Sequence, residues 1–403
     1  MMEIGLGVSQ EKDSTLAAKE AVLNAKKNLR RGEFDLVIVF SSTDLSSPNL
    51  LKTVYFYTQQ KPLIGSSGAA IFTNQGILNH GVAVMLIRFP EGAHFATSCT
   101  KNIKEQSGLE AGETLGEQLL RGFKDTRRML SVILSDALIE ESSNLIYGLQ
   151  EKLGKSFPLL GGSASDNITF LKTCLYFNHE LFDNGCVGLL LGGRLNFGLG
   201  IKHGWKPIGK PHTVTLSHGN IVEQIDNEPA VTLYKEYLGY NLTKLKKELK
   251  SISILYPIGI HVPGERELLL RNVISVEEGN FLRFQGNVPK GSLVRLMIST
   301  KEACLNATKE AAEDARDGLK DSISEFKKET VTNFVLVFSS ISRYILLKRD
   351  AKKEIEILRK NFGENTPIIG LYTYGEVAPL MAINYLGQVY LHNQTITVLT
   401  IGS

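Results

Sequence analysis

Cysteine, tryptophan and net charge are all scarce in this sequence. The 403 residues include one tryptophan and four cysteines, and 45 Lys plus Arg against 42 Asp plus Glu leave a formal charge of +3. Because Cys99, Cys174, Cys186 and Cys304 form no C-x-x-C pair and lack zinc-ligand spacing, we predict free thiols and no metal site. So small a net charge argues against a nucleic-acid partner or an anionic membrane surface.

Long hydrophobic runs are also missing. The best candidate, Gly185–Gly193, is about half as long as a membrane-spanning helix and is typical of a buried strand. The first residues, MMEIGLGVSQEKDS, have neither the basic nor the apolar region of a secretory signal. We therefore expect a cytoplasmic protein with no membrane insertion.

Catalytic motifs begin in several places but are never complete. Residues 154–156, GKS, resemble the end of a phosphate-binding loop, but Leu149 stands where its leading glycine belongs. Residues 161–165, GGSAS, resemble a nucleophile elbow, but the fifth position is serine and no His/Asp pair follows at suitable places. We therefore predict that the chain catalyses nothing, with an uncharacterised hydrolase as an alternative.

One order of elements occurs three times along the chain. A Val/Ile-rich strand, at 34–42, 129–136 and 334–340, is followed by a helical pattern, a short strand that ends in a Gly-rich or hydroxyl-rich turn, and a closing strand. Because a strand, a helix and a second strand of this length form a right-handed crossover unit, each copy predicts a β-α-β-β unit. The predicted fold class is α/β, with mixed sheets flanked by helices, and the copies span about 30–92, 127–192 and 331–401.

The region between the second and third copies has a different pattern. Alternating hairpin patterns occupy 194–226 and 267–286, and a long polar helical pattern runs from 301 to 320. A chain of 403 residues also exceeds the usual size of a single hydrophobic core. We therefore predict two domains, 1–226 with the first two copies and 227–403 with the third.

Several of these stretches, in this order, resemble the FIST family. In the first half they are FDLVIVFSS with PLIGSSGAAIF, PLLGGSASD, HGWKPIG and EPAVTLYKEYLG. In the second half they are LLLRNVISV, GNVPKGSLVRLM, GLYTYGEVAP and YLHNQTITVLTI. The resemblance covers nearly the full length, with a FIST N-terminal domain followed by a C-terminal one.

This resemblance implies a cytoplasmic sensory module of signal transduction. Such a module binds a small ligand, for instance an amino acid, and passes its signal to a separate protein such as a histidine kinase or a chemotaxis-type transducer. Some members resemble haem proteins, so a haem-binding nitric-oxide sensor that regulates a histidine kinase is an alternative, and a protein-interaction scaffold is another. Where the family usually has a cysteine and a glycine before the arginine of its third repeat, this chain has Ser340 and Ser342 before Arg343.

Candidate ligand-binding residues lie at the ends of equivalent strands, where ligands bind in α/β sheets, and the three turns are expected to converge on one cleft. An amino acid needs a cation for its carboxylate and an acid for its ammonium group. Arg343 and Glu376 fit these roles because they follow equivalent strands of the third copy. Tyr372, Thr373 and Tyr374 would supply an aromatic wall and hydroxyls, or instead pack at a domain interface.

The remaining candidates are polar residues that also have an ordinary structural explanation, as turn, cap or edge-strand residues. They are Ser163, Ser165, Asp166, Ser66, Ser67, Asn393, Arg271 and Asn272. We expect no cofactor; for the haem alternative, His203 is the preferred axial ligand. The basic run at 244–250 has helical spacing and is interpreted as a solvated helix face.

Overall fold

The computed structural model describes residues 2–123, 126–323, 330–380 and 388–402. The first copy begins earlier than predicted, because a strand and a helix precede its leading strand. Its elements are β1 (Glu3–Ser9), α1 (Ser14–Lys27), β2 (Leu36–Ser42), α2 (Pro48–Tyr57), β3 (Leu63–Gly68), β4 (Ile71–Thr73), β5 (Gly76–Leu78) and β6 (Val82–Arg88). α1 begins after Asp13, whose carboxylate accepts from two N–H groups of the first turn, and α2 begins after Ser47 with Pro48 in its first turn.

The second copy repeats this order. Its elements are β7 (Ala93–Lys101), α3 (Gly108–Arg121), β8 (Arg128–Asp136), α4 (Ser142–Leu153), β9 (Leu159–Ala164), β10 (Leu175–Phe177), β11 (Glu180–Phe182) and β12 (Gly185–Gly193). A capping box between Ser107 and Glu110 starts α3. α3 and α4 approach so closely that a Cβ on Gly112 would lie 2.1 Å from the carbonyl oxygen of Leu145.

An inserted sheet interrupts the third copy. The copy begins with β13 (Asn196–Lys202). The insertion then consists of β14 (Lys206–His218), β15 (Ile221–Ile225), β16 (Glu228–Pro229), α5 (Thr232–Leu238), α6 (Leu242–Leu255), β17 (Ile258–His261), β18 (Leu268–Arg271), β19 (Val273–Val276), β20 (Leu282–Phe284) and β21 (Leu293–Ile298). The copy resumes with α7 (Lys301–Ser322), β22 (Thr332–Ser340), α8 (Ile341–Leu347), α9 (Lys352–Phe362), β23 (Ile368–Thr373), β24 (Gly375–Pro379), β25 (Val389–His392) and β26 (Ile396–Gly402).

Each copy builds one six-stranded sheet and lends a hairpin to another copy. The strand orders are β1-β6-β2-β3-β10-β11, β7-β12-β8-β9-β24-β25 and β13-β26-β22-β23-β4-β5. The pairs β2/β3, β8/β9 and β22/β23 are parallel, whereas the closing strands pair antiparallel. The prediction of mixed sheets flanked by helices is therefore confirmed, and the exchange of hairpins joins the three copies.

The central core lies where the inner faces of the three sheets meet. The leading strands contribute alternate residues to it, namely Leu36, Ile38, Phe40, Leu130, Val132, Leu134, Phe334, Leu336 and Phe338. The rings of Phe40 and Phe338 meet edge to face, with centroids 6.2 Å apart. Each such buried side chain contributes about 1.5–3 kcal/mol to folding. The carboxyl ends of the three parallel pairs consequently lie at one end of this core.

The insertion forms its own sheet, in the order β18-β17-β21-β14-β15-β20-β19 with β16 paired to β15. Tyr234 of α5 and Leu245 and Leu249 of α6 are buried against it. β18 packs beside β25, so this sheet reaches the hairpin that the third copy lends to the second. Among the helices of the described ranges, none combines the length and the apolar character needed to cross a membrane.

Candidate functional site

The three turns that end the second strands meet at one end of the central core. The N–H of Ser165 donates to the carbonyl of Ser67 at 3.2 Å, and the N–H of Tyr374 donates to the carbonyl of Ser163 at 3.2 Å. The hydroxyl of Ser165 also donates to the carbonyl of Tyr372 at 2.5 Å. The turns therefore converge, but they contact one another directly instead of enclosing the cleft that we expected between them.

The four predicted serines of these turns are buried. Ser66, Ser67, Ser163 and Ser165 are at most 1% exposed. The Ser67 hydroxyl donates to the carbonyl of Ser165 at 3.0 Å, and the hydroxyl oxygens of Ser163 and Ser135 lie 2.9 Å apart. Within the described ranges, the Ser66 hydroxyl has no hydrogen-bond partner. Of the four serines, Ser163 lines a cavity.

That cavity, of about 240 Å³, lies beside the second turn, between the second copy and the inserted sheet. Apolar side chains form most of its wall, namely Ala137, Leu138, Ile139, Phe170, Ile254, Val273, Ile274, Phe284 and Leu391. Its polar side chains are those of Glu140, Ser142, Ser163, Asn220, Lys250, Asn272, Arg283 and Gln285. An apolar wall with a few convergent polar groups is the usual composition of a small-molecule site.

Three charged side chains line this cavity. Arg283 Nη1 lies 3.1 Å from Glu140 Oε1, and Arg283 Nε lies 2.8 Å from Glu277 Oε1. Lys250 forms no ion pair with a residue of the described ranges, and its Nζ lies 3.9 Å from the ring centroid of Phe170. Burial lowers the pKa of Lys250, although the nearby carboxylate of Asp166 opposes this effect. Lys250 is therefore the lining cation that lacks a carboxylate partner.

Asp166 organises the loop that follows β9. The N–H groups of residues 169–172 donate to its carboxylate at 2.8–3.0 Å, and the hydroxyls of Thr169 and Tyr374 donate as well. Burial alone would raise the pKa of Asp166, but these hydrogen bonds outweigh it and hold the pKa well below its usual range. Asp166 is thus an ionised anchor for residues 167–172.

This loop forms one wall of the cavity through Phe170. The Phe170 ring stacks on Tyr374, with centroids 4.1 Å apart and planes within 9° of parallel. The carbonyl of Tyr374 accepts a hydrogen bond from Gln285 Nε2 at 2.7 Å. Tyr374, which the sequence singled out, therefore connects the third copy to the loop of the second copy and to the inserted sheet.

Asn272 lines the cavity and is held by the turn before β26. Its N–H donates to Asn393 Oδ1 at 3.1 Å, and its side-chain oxygen accepts from Gln394. Arg271, the preceding residue, is 3% exposed and donates to the carbonyls of Leu270 and Leu391 at 2.9 and 2.7 Å. Burial lowers the pKa of Arg271 to about 10. Asn272 thus faces the cavity, whereas Asn393 and Arg271 support its wall.

Arg343 lies in a closed polar network elsewhere in the third copy. Its Nε and Nη2 donate to Glu354 Oε1 at 3.2 and 2.8 Å, and Nη2 also donates to the hydroxyl of Thr308 at 2.7 Å. Its Nη1 donates to the carbonyl of His203 at 2.9 Å, and the hydroxyl of Tyr372 donates to the other carboxylate oxygen of Glu354. The guanidinium group and its carboxylate partner are both fully buried.

Glu376 occupies a second closed network. Its carboxylate accepts from the hydroxyl of Thr373 at 2.7 Å, and from the hydroxyl and N–H of Thr395 at 2.8 and 3.2 Å. Burial raises the pKa of Glu376 to about 8 despite these hydrogen bonds. No hydrogen bond or ion pair between described residues joins Glu376 to Arg343, so the structure does not bring these two together as a pair. Their role in ligand binding stays a prediction.

His203, the residue predicted for the haem alternative, has a hydrogen-bond partner at Nδ1, whereas its buried Nε2 forms no hydrogen bond with the described residues. Its Nδ1 accepts from the N–H of Trp205 at 2.9 Å, and its Nε2 lies 3.3 Å from Glu267 Oε2. The haem alternative with His203 as axial ligand therefore stays a prediction. Over the ranges that the structure describes, no group of three or more His, Cys, Asp or Glu side chains is arranged to hold a metal ion.

Of the lining residues, the sequence singled out Ser163 and Asn272 but none of Glu140, Phe170, Lys250 and Arg283. Lys250 belongs to the run interpreted as a solvated helix face. Lys250 lies one helical turn before Ile254. A lysine on the same helix face as an apolar residue was therefore the sequence signal that could have identified it as a cavity residue. The other contacts arise between segments that are distant in sequence, and a pattern within one segment does not predict them.

The chain is similar in sequence to several uncharacterized proteins of bacteria and archaea. One from Methanocaldococcus jannaschii is 24% identical over 380 residues, covering 87% of this chain and 71% of that protein. One from Mycobacterium tuberculosis strain H37Rv is 24% identical over 398 residues, covering 96% of this chain and 97% of that protein. One from Mycobacterium bovis is 22% identical over 394 residues, covering 96% of each chain.

Two solved structures of cyanuric acid hydrolases align along the whole chain. The enzyme from A. caulinodans has a TM-score of 0.39 and 8% identity, covering 100% of this chain and 99% of the enzyme. A second cyanuric acid hydrolase has a TM-score of 0.36 and 7% identity, covering 99% of each. Because these neighbours are enzymes, the prediction that the chain catalyses nothing is contradicted and is not retained. A likeness at these TM-scores assigns no reaction to this chain.

Two family models match the chain in succession. The FIST N domain matches residues 35–228, and the FIST C domain matches residues 230–379. FIST domains are sensor domains of signal transduction. With both domains present in this order, the chain belongs to the FIST family.

Proposed function

We propose that this sensor binds an amino acid in the cavity between the second copy and the inserted sheet, and signals to a separate partner protein. The observation that carries the proposal is the cavity itself, which has an apolar wall, an exposed glutamate and a lysine that forms no ion pair with any described residue. Such a combination of apolar and convergent polar groups is the usual mark of a ligand site.

The volume of the cavity favours a small ligand. Pockets for drug-sized molecules measure about 300–1,000 Å³, and an apolar cavity of about 150 Å³ accommodates benzene. The observed volume of about 240 Å³ lies between these values. A single amino acid with an apolar side chain fits this range, with its side chain against Leu138, Ile139 and Ile254.

The charges of the cavity suit a zwitterion. Lys250 can receive the ligand carboxylate, because within the described ranges it forms no ion pair and its ammonium group lies over the Phe170 ring. Glu140 can receive the ligand ammonium group. Its side chain is 69% exposed, and an exposed ion pair such as that with Arg283 contributes little stability. Ionic hydrogen bonds in a partly dry cavity are stronger than in water.

The position of the cavity suits a sensor. Its wall combines Ile139 and Phe170, from the part that matches the FIST N domain, with Lys250 and Phe284, from the part that matches the FIST C domain. A ligand that contacts both parts stabilises the arrangement in which both contacts are made. Occupancy would thereby change the population of one arrangement, which a partner protein can detect.

Thermal unfolding of the purified protein with each amino acid tests this proposal. A ligand present at about 100 times its dissociation constant adds about 2.7 kcal/mol to the free energy of unfolding. Lys250→Met should weaken binding at least about tenfold, since a hydrogen bond to a charged group is worth about 1.5–3 kcal/mol. The matched control is Lys247→Met, an exposed lysine of the same helix outside the cavity.

Two results would contradict the proposal. One is the lack of any thermal shift with every amino acid. The other is a shift of the same size in Lys250→Met and in Lys247→Met, because the ligand would then bind elsewhere on the protein.

A further inference from the structure

We propose that the rim of the cavity, defined as Ile168, Leu171, Lys172, Lys246 and Lys247, is a docking surface for an acidic segment of a partner protein that carries apolar side chains. These residues flank Phe170 and Lys250, which line the cavity and place the loop after β9 beside α6, with the Lys250 Nζ 3.9 Å from the ring centroid of Phe170. The inference names the partner class for the proposed sensor, and its dependence on ligand rests on that proposed function.

The loop after β9 exposes apolar side chains to solvent and has strained backbone conformations. Leu171 is 80% exposed and Ile168 is 41% exposed. Ile168 has a φ of 66°, a conformation that is costly for a β-branched residue, and Phe170 has a φ of 56°. Strained backbone persists only where surrounding contacts impose it, and here the carboxylate of Asp166 does so through the N–H groups of residues 169–172.

α6 supplies the charge of the rim. Lys246 and Lys247 precede Lys250 by four and three positions, so they share the helix face that reaches the cavity. Both are exposed and, within the described ranges, neither forms an ion pair with a carboxylate. Lys172 extends the same charge onto the loop. The nearby Asp166 is buried and occupied by its own donors, so it does not neutralise these lysines from outside.

These features determine the chemistry of the partner. Carboxylates opposite the lysines give charge complementarity, which speeds association and sets the orientation of docking. Apolar side chains of the partner would cover Leu171 and Ile168, which otherwise remain in water. Because the net charge of the whole chain is only +3, this positive rim is a local feature and not a property of the entire surface.

The loop also connects this surface to the cavity. Phe170 faces the cavity while Leu171, its neighbour in sequence, faces solvent. A ligand that packs on Phe170 would restrict the loop in the conformation that presents Leu171. Ligand and partner would then each favour the same loop arrangement, so that each binds more tightly in the presence of the other.

A fluorescent synthetic peptide of roughly 12 residues that alternates glutamate and leucine serves as the probe, with fluorescence anisotropy as the readout. The full chain should bind it, less tightly as salt is raised. Lys246→Glu with Lys247→Glu should weaken binding at least about tenfold, as should Leu171→Ser alone. The matched control is Lys352→Glu with Lys353→Glu, two adjacent exposed lysines of α9.

The inference is overturned if the chain does not bind the peptide or if the α9 control loses as much affinity as the α6 variant. It is also overturned if the α6 lysines and Leu171 are needed instead for binding phosphatidylserine vesicles or for self-association measured by sedimentation. Rim-dependent peptide binding in a protein that responds to no amino acid would remove the proposed ligand but keep the docking surface. A normal response to an amino acid without rim-dependent peptide binding would keep the proposed ligand and remove the docking surface.

Discussion

Asp166 and Glu376 follow the second strands of two copies of the same unit, yet their carboxylates lie in opposite environments. Asp166 receives four backbone N–H groups and two hydroxyls, whereas Glu376 receives one N–H group and two hydroxyls. Burial raises the pKa of a carboxyl group and hydrogen-bond donors lower it. The balance gives a lowered pKa at Asp166 and a pKa of about 8 at Glu376. The extent of desolvation and the supply of donors together therefore decide which carboxylate is ionised.

Backbone geometry explains the difference in donors. After Asp166 the chain leaves the sheet, and the positive φ values of Ile168 and Phe170 turn successive N–H groups toward the carboxylate. After Glu376 the chain continues as β24, which is paired with β9 and β25, so its N–H groups are used by the sheet. The two carboxyl groups thus differ because the chain leaves the sheet after Asp166 and stays in it after Glu376.

The largest expected effect comes from titrating Glu376. Its pKa is 4.5 in the absence of structure and about 8 when folded, so between these values the folded state holds one more proton than the unfolded state. The free energy of unfolding should therefore fall as pH rises through this window, by about 1.4 kcal/mol per pH unit, and level off above the folded pKa. Glu376→Gln removes this contribution and keeps the side-chain size.

Urea unfolding at a series of pH values from 5 to 8 measures this effect. The difference in the free energy of unfolding between wild type and Glu376→Gln should change by about 4 kcal/mol across this range. Glu248→Gln, at an exposed position of α6, is the control and should follow the wild type. Parallel pH curves for wild type and Glu376→Gln would show that the carboxyl is ionised in the folded protein, and the contrast with Asp166 would be lost.

A smaller effect is expected from Asp166→Asn. The variant replaces an ionised acceptor with a neutral one, which should lower the free energy of unfolding at neutral pH by about 2 kcal/mol. Because the folded pKa of Asp166 lies below its unfolded value of 3.8, the wild-type advantage should be present above that value and disappear as pH falls through the folded pKa.

Limited trypsin digestion gives a local readout of the same variant. Cleavage after Lys172 should be faster in Asp166→Asn, because the loop loses the group that holds its N–H donors. Asp321→Asn, at an exposed position near the end of α7, is the control. Unchanged cleavage at Lys172 in Asp166→Asn would mean that the loop keeps its conformation without the charge.

The repeated unit was predictable because its determinants are local. The apolar run of β2 and the proline that precedes β3 lie within one segment, and the same pattern recurs in β8 and β22. The additional leading element, β1 with α1, was missed because β1 contains glycines at positions 5 and 7, which pack against the backbone of α1 and weaken the strand pattern. The exchange of hairpins was also missed, since β4 pairs with β23 across a long sequence separation, with Ile71 opposite Leu371.

The site was predicted only in part, for a related reason. Two of the predicted residues, Ser163 and Asn272, line the cavity. Ser163 was selected because ligands bind where the strands of α/β sheets end. The ion pair of Arg343 with Glu354 was not foreseen, because Glu354 lies in the charged sequence of α9, where no pattern marks one charged residue as buried. Lys250 was set aside because the run at 244–250 was interpreted as a solvated helix face; the residue is exposed and also lines the cavity. The sequence of an amphipathic helix does not show whether a charged side chain faces solvent or contacts a neighbouring element.

The smallest expected effect comes from Tyr374→Phe, which removes a single donor from Asp166 and keeps the ring that stacks on Phe170. If the number of donors decides the ionisation, the pKa of Asp166 should rise and stability should fall by about 1 kcal/mol. Carbon-13 NMR titration of the Asp166 carboxyl measures the pKa directly. Tyr344→Phe, which removes a hydroxyl that donates to Asn79, is the control. An unchanged pKa for Asp166 would assign its ionisation to the backbone N–H groups alone, and the loop geometry would then account for the whole difference from Glu376.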